Sequence, residues 1–93
     1  MKTVWTLLFV TGYTSEATVE VFEKEEDCKE AFKKTLRDTF SHEDLSIEDV
    51  LEIVDGERDH FDNADDLSIY PSDVSWDSGE VWRRVTYFET EIK

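Results

Sequence analysis

Residues 24–40 read KEEDCKEAFKKTLRDTF, and the period of their apolar positions decides the fold. Cys28, Ala31, Phe32, Thr35, Leu36, Thr39 and Phe40 recur at spacings of three and four, which lays them along one stripe of an amphipathic helix. Glu25, Glu26 and Asp27 fall in its first turn and Lys33, Lys34 and Arg37 toward its end, an order that complements the helix dipole. The charged side chains of this helix are expected to form a solvated face with local pairs.

Before the helix the period changes to two. Residues 3–11 (TVWTLLFVT) and 17–23 (ATVEVFE) are rich in β-branched and aromatic residues and flank the turn-like Gly12-Tyr13-Thr14-Ser15, which predicts a hairpin. Val4, Leu8 and Val10 alternate with Trp5, Leu7 and Phe9, so the first strand is apolar on both faces and is expected in mid-sheet or under a second cover. After the helix, residues 46–54 (SIEDVLEIV) predict a second, shorter helix. Ser46 and Asp49 stand in capping-box order, Ile47, Val50, Leu51 and Val54 form the buried stripe, and Gly56 is the stop.

Residues 57–66 (ERDHFDNADD) read as a loop, with Phe61 and Ala64 its only apolar members. Leu67–Tyr70 reads as a short strand ended by Pro71-Ser72. Residues 74–82 read as a hairpin around Asp77-Ser78-Gly79. The last strand, residues 81–92, puts Trp82, Thr86, Phe88 and Ile92 on one face and Val81, Arg83, Val85, Tyr87, Glu89 and Glu91 on the other. The expectation is one α+β domain, residues 1–93, with an antiparallel sheet of about four strands and both helices on one side, in ββααββ order.

Charge is distributed very unevenly. Residues 43–80 hold fourteen carboxylates against the single cation Arg58, so this stretch carries −13 of the chain's −14, while the other fifty-five residues are almost neutral. The plain alternatives are an acidic face kept for solubility or a halophile-like composition, and a general halophile bias would spread over the whole chain. Such a protein, with pI near 4.3, is a poor direct partner for nucleic acid or an anionic membrane and a good one for cationic proteins. At 39% hydrophobic residues, twelve of them aromatic, the chain has material for a core and is not a disordered acidic tail. The lone Cys28 cannot form an internal disulfide, and the opening apolar run is short and broken by Thr3 and Thr6, unlike a signal peptide. A cytoplasmic location is the expectation.

No motif for catalysis or a cofactor is evident. Cys28 lies on the apolar stripe of the first helix, where an inert buried thiol is the default, and there is no glycine-rich phosphate loop. Asp55, Glu57, Asp59, Phe61, Asn63 and Asp66 fall at the ligand positions of a calcium loop, but His60 occupies the place of its glycine and an Asp the place of its bidentate Glu. His42 and His60 lack a second histidine at ligand spacing and read as surface residues. A non-enzymatic role is expected.

The acids themselves form the candidate site: Glu48, Asp49, Glu52, Asp55, Glu57, Asp59, Asp62, Asp65 and Asp66. On the second helix Glu48, Glu52 and Asp55 follow at i, i+4 and i+7, about 4.5–6 Å apart along the axis. Long carboxylates on that row can approach the spacing of phosphates along one nucleic-acid strand, whose rise is about 3.4 Å per nucleotide. Phe61 and Tyr70 are candidate aromatic anchors at its rim or members of the core.

A small α+β chain with its acids massed on one helix and loop resembles the DNA-mimic inhibitors carried by phages and mobile elements, the anti-CRISPR and antirestriction proteins. The opening VWTLLFV and closing GEVWRRVTYFE strands are similar to those of such proteins in general layout. The resemblance implies a protein that occupies the nucleic-acid groove of a CRISPR effector or restriction nuclease. Two other readings fit the same charge: an immunity or antitoxin-like protein that neutralises a cationic toxin, and a small acidic metal-binding or structural accessory protein.

Overall fold

The computed structural model describes residues 2–12, 16–63, 66–77, 79 and 81–92, with the side chain of Glu16 excepted. Strands β1 (Lys2–Thr11) and β2 (Glu16–Phe22) are followed by helices α1 (Glu25–Thr39) and α2 (Ile47–Val54). Strands β3 (Phe61–Asp62), β4 (Leu67–Tyr70), β5 (Asp73–Asp77) and β6 (Trp82–Ile92) complete the chain. All pairings are antiparallel, in one six-stranded sheet of order β2-β1-β6-β5-β4-β3.

The expected sheet of about four strands in ββααββ order is therefore incorrect; the α+β class and the two helices stand, but the sheet is wider. Two features account for the difference. Pro71-Ser72 is a tight turn joining β4 directly to β5, so the segment before the last strand supplies a hairpin of its own. The polar segment after α2 also contributes β3, a two-residue strand whose Phe61 pairs with Ile69 and whose Asp62 pairs with Ser68. Phe61 leans on the core while its neighbours stay exposed, so a single apolar side chain is enough to dock the segment on the sheet edge.

The alternation read for the long strands holds. Trp5, Leu7 and Phe9 of β1, Val85 and Tyr87 of β6, Val74 and Trp76 of β5, and Leu67 and Ile69 of β4 lie on the helix side of the sheet. Against them α1 buries Cys28, Phe32 and Leu36, and α2 buries Val50, Ile53 and Val54. Two aromatic contacts tie the layers: Phe32 meets Tyr87 edge-on at 4.9 Å, and Phe40 meets Trp76 at 5.1 Å between ring centroids. Each such buried side chain contributes on the order of 1.5–3 kcal/mol.

The helix ends follow their residues. Lys24 caps α1 without a side-chain bond, leaving the three acids of the first turn to answer the dipole, and Phe40 closes it with an N–H donated to the Leu36 carbonyl. Beyond α2, Gly56 takes φ +81°, a conformation that an L side chain rarely adopts, and turns the chain back toward the sheet. Gly12 is required for a different reason: a Cβ there would lie 2.9 Å from the Trp82 ring, where the Gly12 N–H bonds the Trp82 carbonyl. The rest of the expected turn, residues 13–15, lies outside the described residues.

Candidate interaction surface

Helix α2 starts in the capping box its sequence predicts. The Asp49 N–H donates to Ser46 Oγ at 3.2 Å, and the Ser46 N–H donates to Asp49 Oδ2 at 3.3 Å. The other Asp49 oxygen receives Arg58 Nη1 at 2.8 Å. Hydrogen bonds from the Ser46 backbone and hydroxyl hold the Asp49 carboxyl below the usual range, and Arg58 adds to them.

At the other end of the helix a carboxylate is badly placed, because the C-terminus is the negative end of the dipole. Asp55 sits there as the C-cap, and α2 has no basic residue in its last turn. The compensation comes from α1. Lys33 Nζ lies 2.6 Å and Lys29 Nζ 3.7 Å from Asp55 Oδ1, and the bond from Lys33 is the main reason the Asp55 carboxyl is held low. Lys29 and Lys33 thus bridge to the second helix, where the sequence suggested local pairs.

The segment after α2 is fixed by a third set of bonds. Asn63 Oδ1 accepts the backbone N–H groups of Asp66 and Leu67, and Asn63 Nδ2 donates to Asp66 Oδ1 at 2.9 Å. Asp66 Oδ2 lies 3.2 Å from His42 Nε2, while His42 Nδ1 accepts the Asp44 N–H. Since Nδ1 is the acceptor, the ring proton resides on Nε2 and points at the carboxylate. The Asp66 carboxyl is held low chiefly by Asn63 and next by His42. The His42 side chain is only 4% exposed, so the surface placement expected for it is incorrect. His60 is exposed and stacks on Tyr70 at 4.9 Å, and the Tyr70 hydroxyl donates to Asp62 Oδ2, which raises the Tyr70 pKa.

The nine candidate residues thus divide. Asp49, Asp55 and Asp66 are committed to holding α2 and the β3–β4 connection in place, and Asp62 sits on β3 bonded to Tyr70. Glu48, Glu52, Glu57 and Asp59 are exposed and make no ion pair or side-chain hydrogen bond among the described residues. Asp65 lies outside the described residues. Of the row Glu48–Glu52–Asp55 only the first two members face solvent freely, one helical turn apart. Of the two aromatic candidates, Phe61 is partly buried against the core and Tyr70 remains 37% exposed.

A cleft of about 660 Å³, not foreseeable from any local motif, lies between segments far apart in the chain, lined by Ser41, His42, Glu43, Asp66, Asp77 and Gly79. Both His42 nitrogens are engaged in bonds that shape its wall. Among the described residues no group of three or more His, Cys, Asp and Glu is placed to hold a metal ion. The calcium-loop pattern is broken up, with Asp55 turned to Lys33, Phe61 drawn into β3 and Asp66 bonded to Asn63 and His42. Cys28 is fully buried and its thiol is pushed up to about 11, by burial first and then by Glu20 and Glu25, the reverse of what a nucleophile needs. Among the described residues no helix is long and apolar enough to cross a membrane. No protein-family model, curated protein or solved structure matches the chain.

Proposed function

We propose that the chain is a non-enzymatic inhibitor that binds the positively charged nucleic-acid groove of a bacterial defence effector, a CRISPR effector or restriction nuclease. Its contact surface is Glu48, Glu52, Glu57 and Asp59, with Asp62 at the margin. The observation that carries the reading is charge segregation: residues 43–80 hold −13 of the net −14, and among the described residues these four carboxylates have no cation paired with them. Their repulsion works against folding. A cationic partner would turn that cost into binding energy.

Glu48 and Glu52 stand about 6 Å apart along a rigid helix, an interval of the same order as that between successive phosphates. Asp49 and Asp55 anchor both ends of that helix, so the exposed acids are presented on a fixed frame. A rigid display limits the entropy lost on binding. A lysine- and arginine-lined groove that receives it would release the anions condensed there, and affinity would fall as salt rises.

The test is a pull-down with the intact chain from bacterial lysates that contain CRISPR and restriction effectors, at low and high salt, read by mass spectrometry. Retention of a nucleic-acid-binding effector that is lost at high salt and competed by its own DNA supports the reading. Retention of a cationic toxin without nucleic-acid-binding activity would replace it with an antitoxin-like role. Capture of nothing specific would remove both.

A further inference from the structure

The face of the sheet turned away from α1 and α2 is apolar across one half. It carries Val19 and Val21 of β2, 57% and 61% exposed, then Val4, Leu8 and Val10 of β1, then Phe88 and Ile92 of β6, 44% and 45% exposed. Register lines them up in rows across the three strands, Val21–Thr6–Phe88 and Val19–Leu8–Thr86. Val4 is buried on this face although it stands outside the helix-side core, so these side chains already shield one another.

The polar groups of the patch are already partnered. Thr6 and Thr90 share a hydroxyl bond at 3.0 Å, Thr86 Oγ1 donates to the Ser72 carbonyl, and Arg84 grips Asp73 with two bonds of 2.9 and 2.6 Å. Lys2 pairs with Glu23 at 3.2 Å. Each of these polar side chains already has a partner within the chain, which lowers the cost of covering this face. On the half carried by β2, β1 and β6 the charges cancel in pairs, Lys2 with Glu23 and Arg84 with Asp73, within a chain of −14.

We infer that this face is the interface of a homodimer in which two sheets pack face to face with their helices outward. Charge selects the occupant. A strongly basic or acidic partner finds nothing to pair with here, whereas a second copy brings the same neutral, apolar surface. A two-fold axis running along β1 would lay β2 of one copy over β6 of the other. The small Val19 and Val21 would then meet Thr86 and the large Phe88, and Thr6 would meet its equivalent, a self-complementary arrangement of aligned sheets. A stable interface needs about 800 Å² per partner, a small part of the 5940 Å² surface. The acidic helix layers would lie on opposite outer faces, separated by several screening lengths of about 8–10 Å.

Sedimentation equilibrium of the intact chain, from micromolar to millimolar concentration, tests this at low salt and at about 0.5 M NaCl. The expected result is a mass rising from 10.9 kDa toward twice that value, at lower concentration in high salt, because salt screens repulsion between copies while the interface itself is apolar. V21N/F88N, with an unchanged far-UV circular dichroism spectrum, is expected to weaken association by about tenfold or more. Should that variant not fold, V19N on the outermost strand carries the same expectation. A monomer at every concentration and salt, or a dimer whose dissociation constant a folded face variant leaves unchanged, would overturn the proposal.

Discussion

Lys33 Nζ of α1 lies 2.6 Å from Asp55 Oδ1 at the C-cap of α2, and this pair takes Asp55 out of the outward row of acids and makes it structural. Lys33 is 15% and Asp55 33% exposed at the side chain, so the pair is partly shielded from solvent. D55N is expected to destabilise the fold by about 0.5–1 kcal/mol, the upper range for a surface ion pair. E52Q, one turn earlier and unpaired, is expected to leave stability unchanged or slightly raised. Urea unfolding of the two variants beside the parent measures the difference.

Cys28 makes stability depend on alkaline pH. Its thiol titrates near 9 when free and at about 11 when folded, because burial penalises the thiolate. A raised folded-state pKa means that the unfolded chain releases its proton first, so the contribution is intact below about pH 9 and lost as pH climbs toward 11. Tyr87, raised chiefly by burial, acts in the same direction. Denaturation midpoints followed upward from pH 8 should fall, and less steeply in C28A relative to its own value at pH 8. A thiol reagent should label Cys28 only after unfolding.

Trp76 is the largest fully buried side chain, with Phe40 against it and Val74 and Val85 beside it in the core. W76A should cost about 3–5 kcal/mol, a large share of the 5–15 kcal/mol that holds a typical domain together. The indole Nε1 has no hydrogen-bond partner among the described residues, so W76F removes an orphaned donor along with some volume. It should be markedly milder than W76A in the same unfolding assay.

Salt should separate the two roles of charge. Most of the net −14 is self-repulsion within residues 43–80, and screening relieves it. The melting temperature is therefore expected to rise by several degrees between low salt and about 0.5 M NaCl. E48Q/E52Q/E57Q/D59N should melt higher than the parent at low salt and gain less from added salt.

What was legible in the sequence was what depends on near neighbours. The stripe of residues 24–40 gave α1, found at Glu25–Thr39 with Lys24 and Phe40 as its caps, and the alternation of Val4 against Trp5 gave the two faces of β1. Ser46 and Asp49 announced α2 because both halves of the capping box lie three residues apart. The hidden features join distant segments. Phe61 became a strand only because Ile69 and the core stand beside it, and His42 is buried through Asp66, twenty-four residues on. Asp55 reads as the third member of an outward row until α1 brings Lys33 and Lys29 to it. Net charge located the candidate surface; only tertiary contacts could sort its free carboxylates from its structural ones.

The most direct measurement is the affinity of the captured effector for the parent chain and for E48Q/E52Q/E57Q/D59N, at low and high salt. The account predicts tight, salt-sensitive, DNA-competed binding by the parent and a loss of at least about tenfold, with a flatter salt dependence, in the folded variant. Equal affinity of parent and variant would contradict it, and would mean that the acids of α2 and the segment after it are not what the partner recognises.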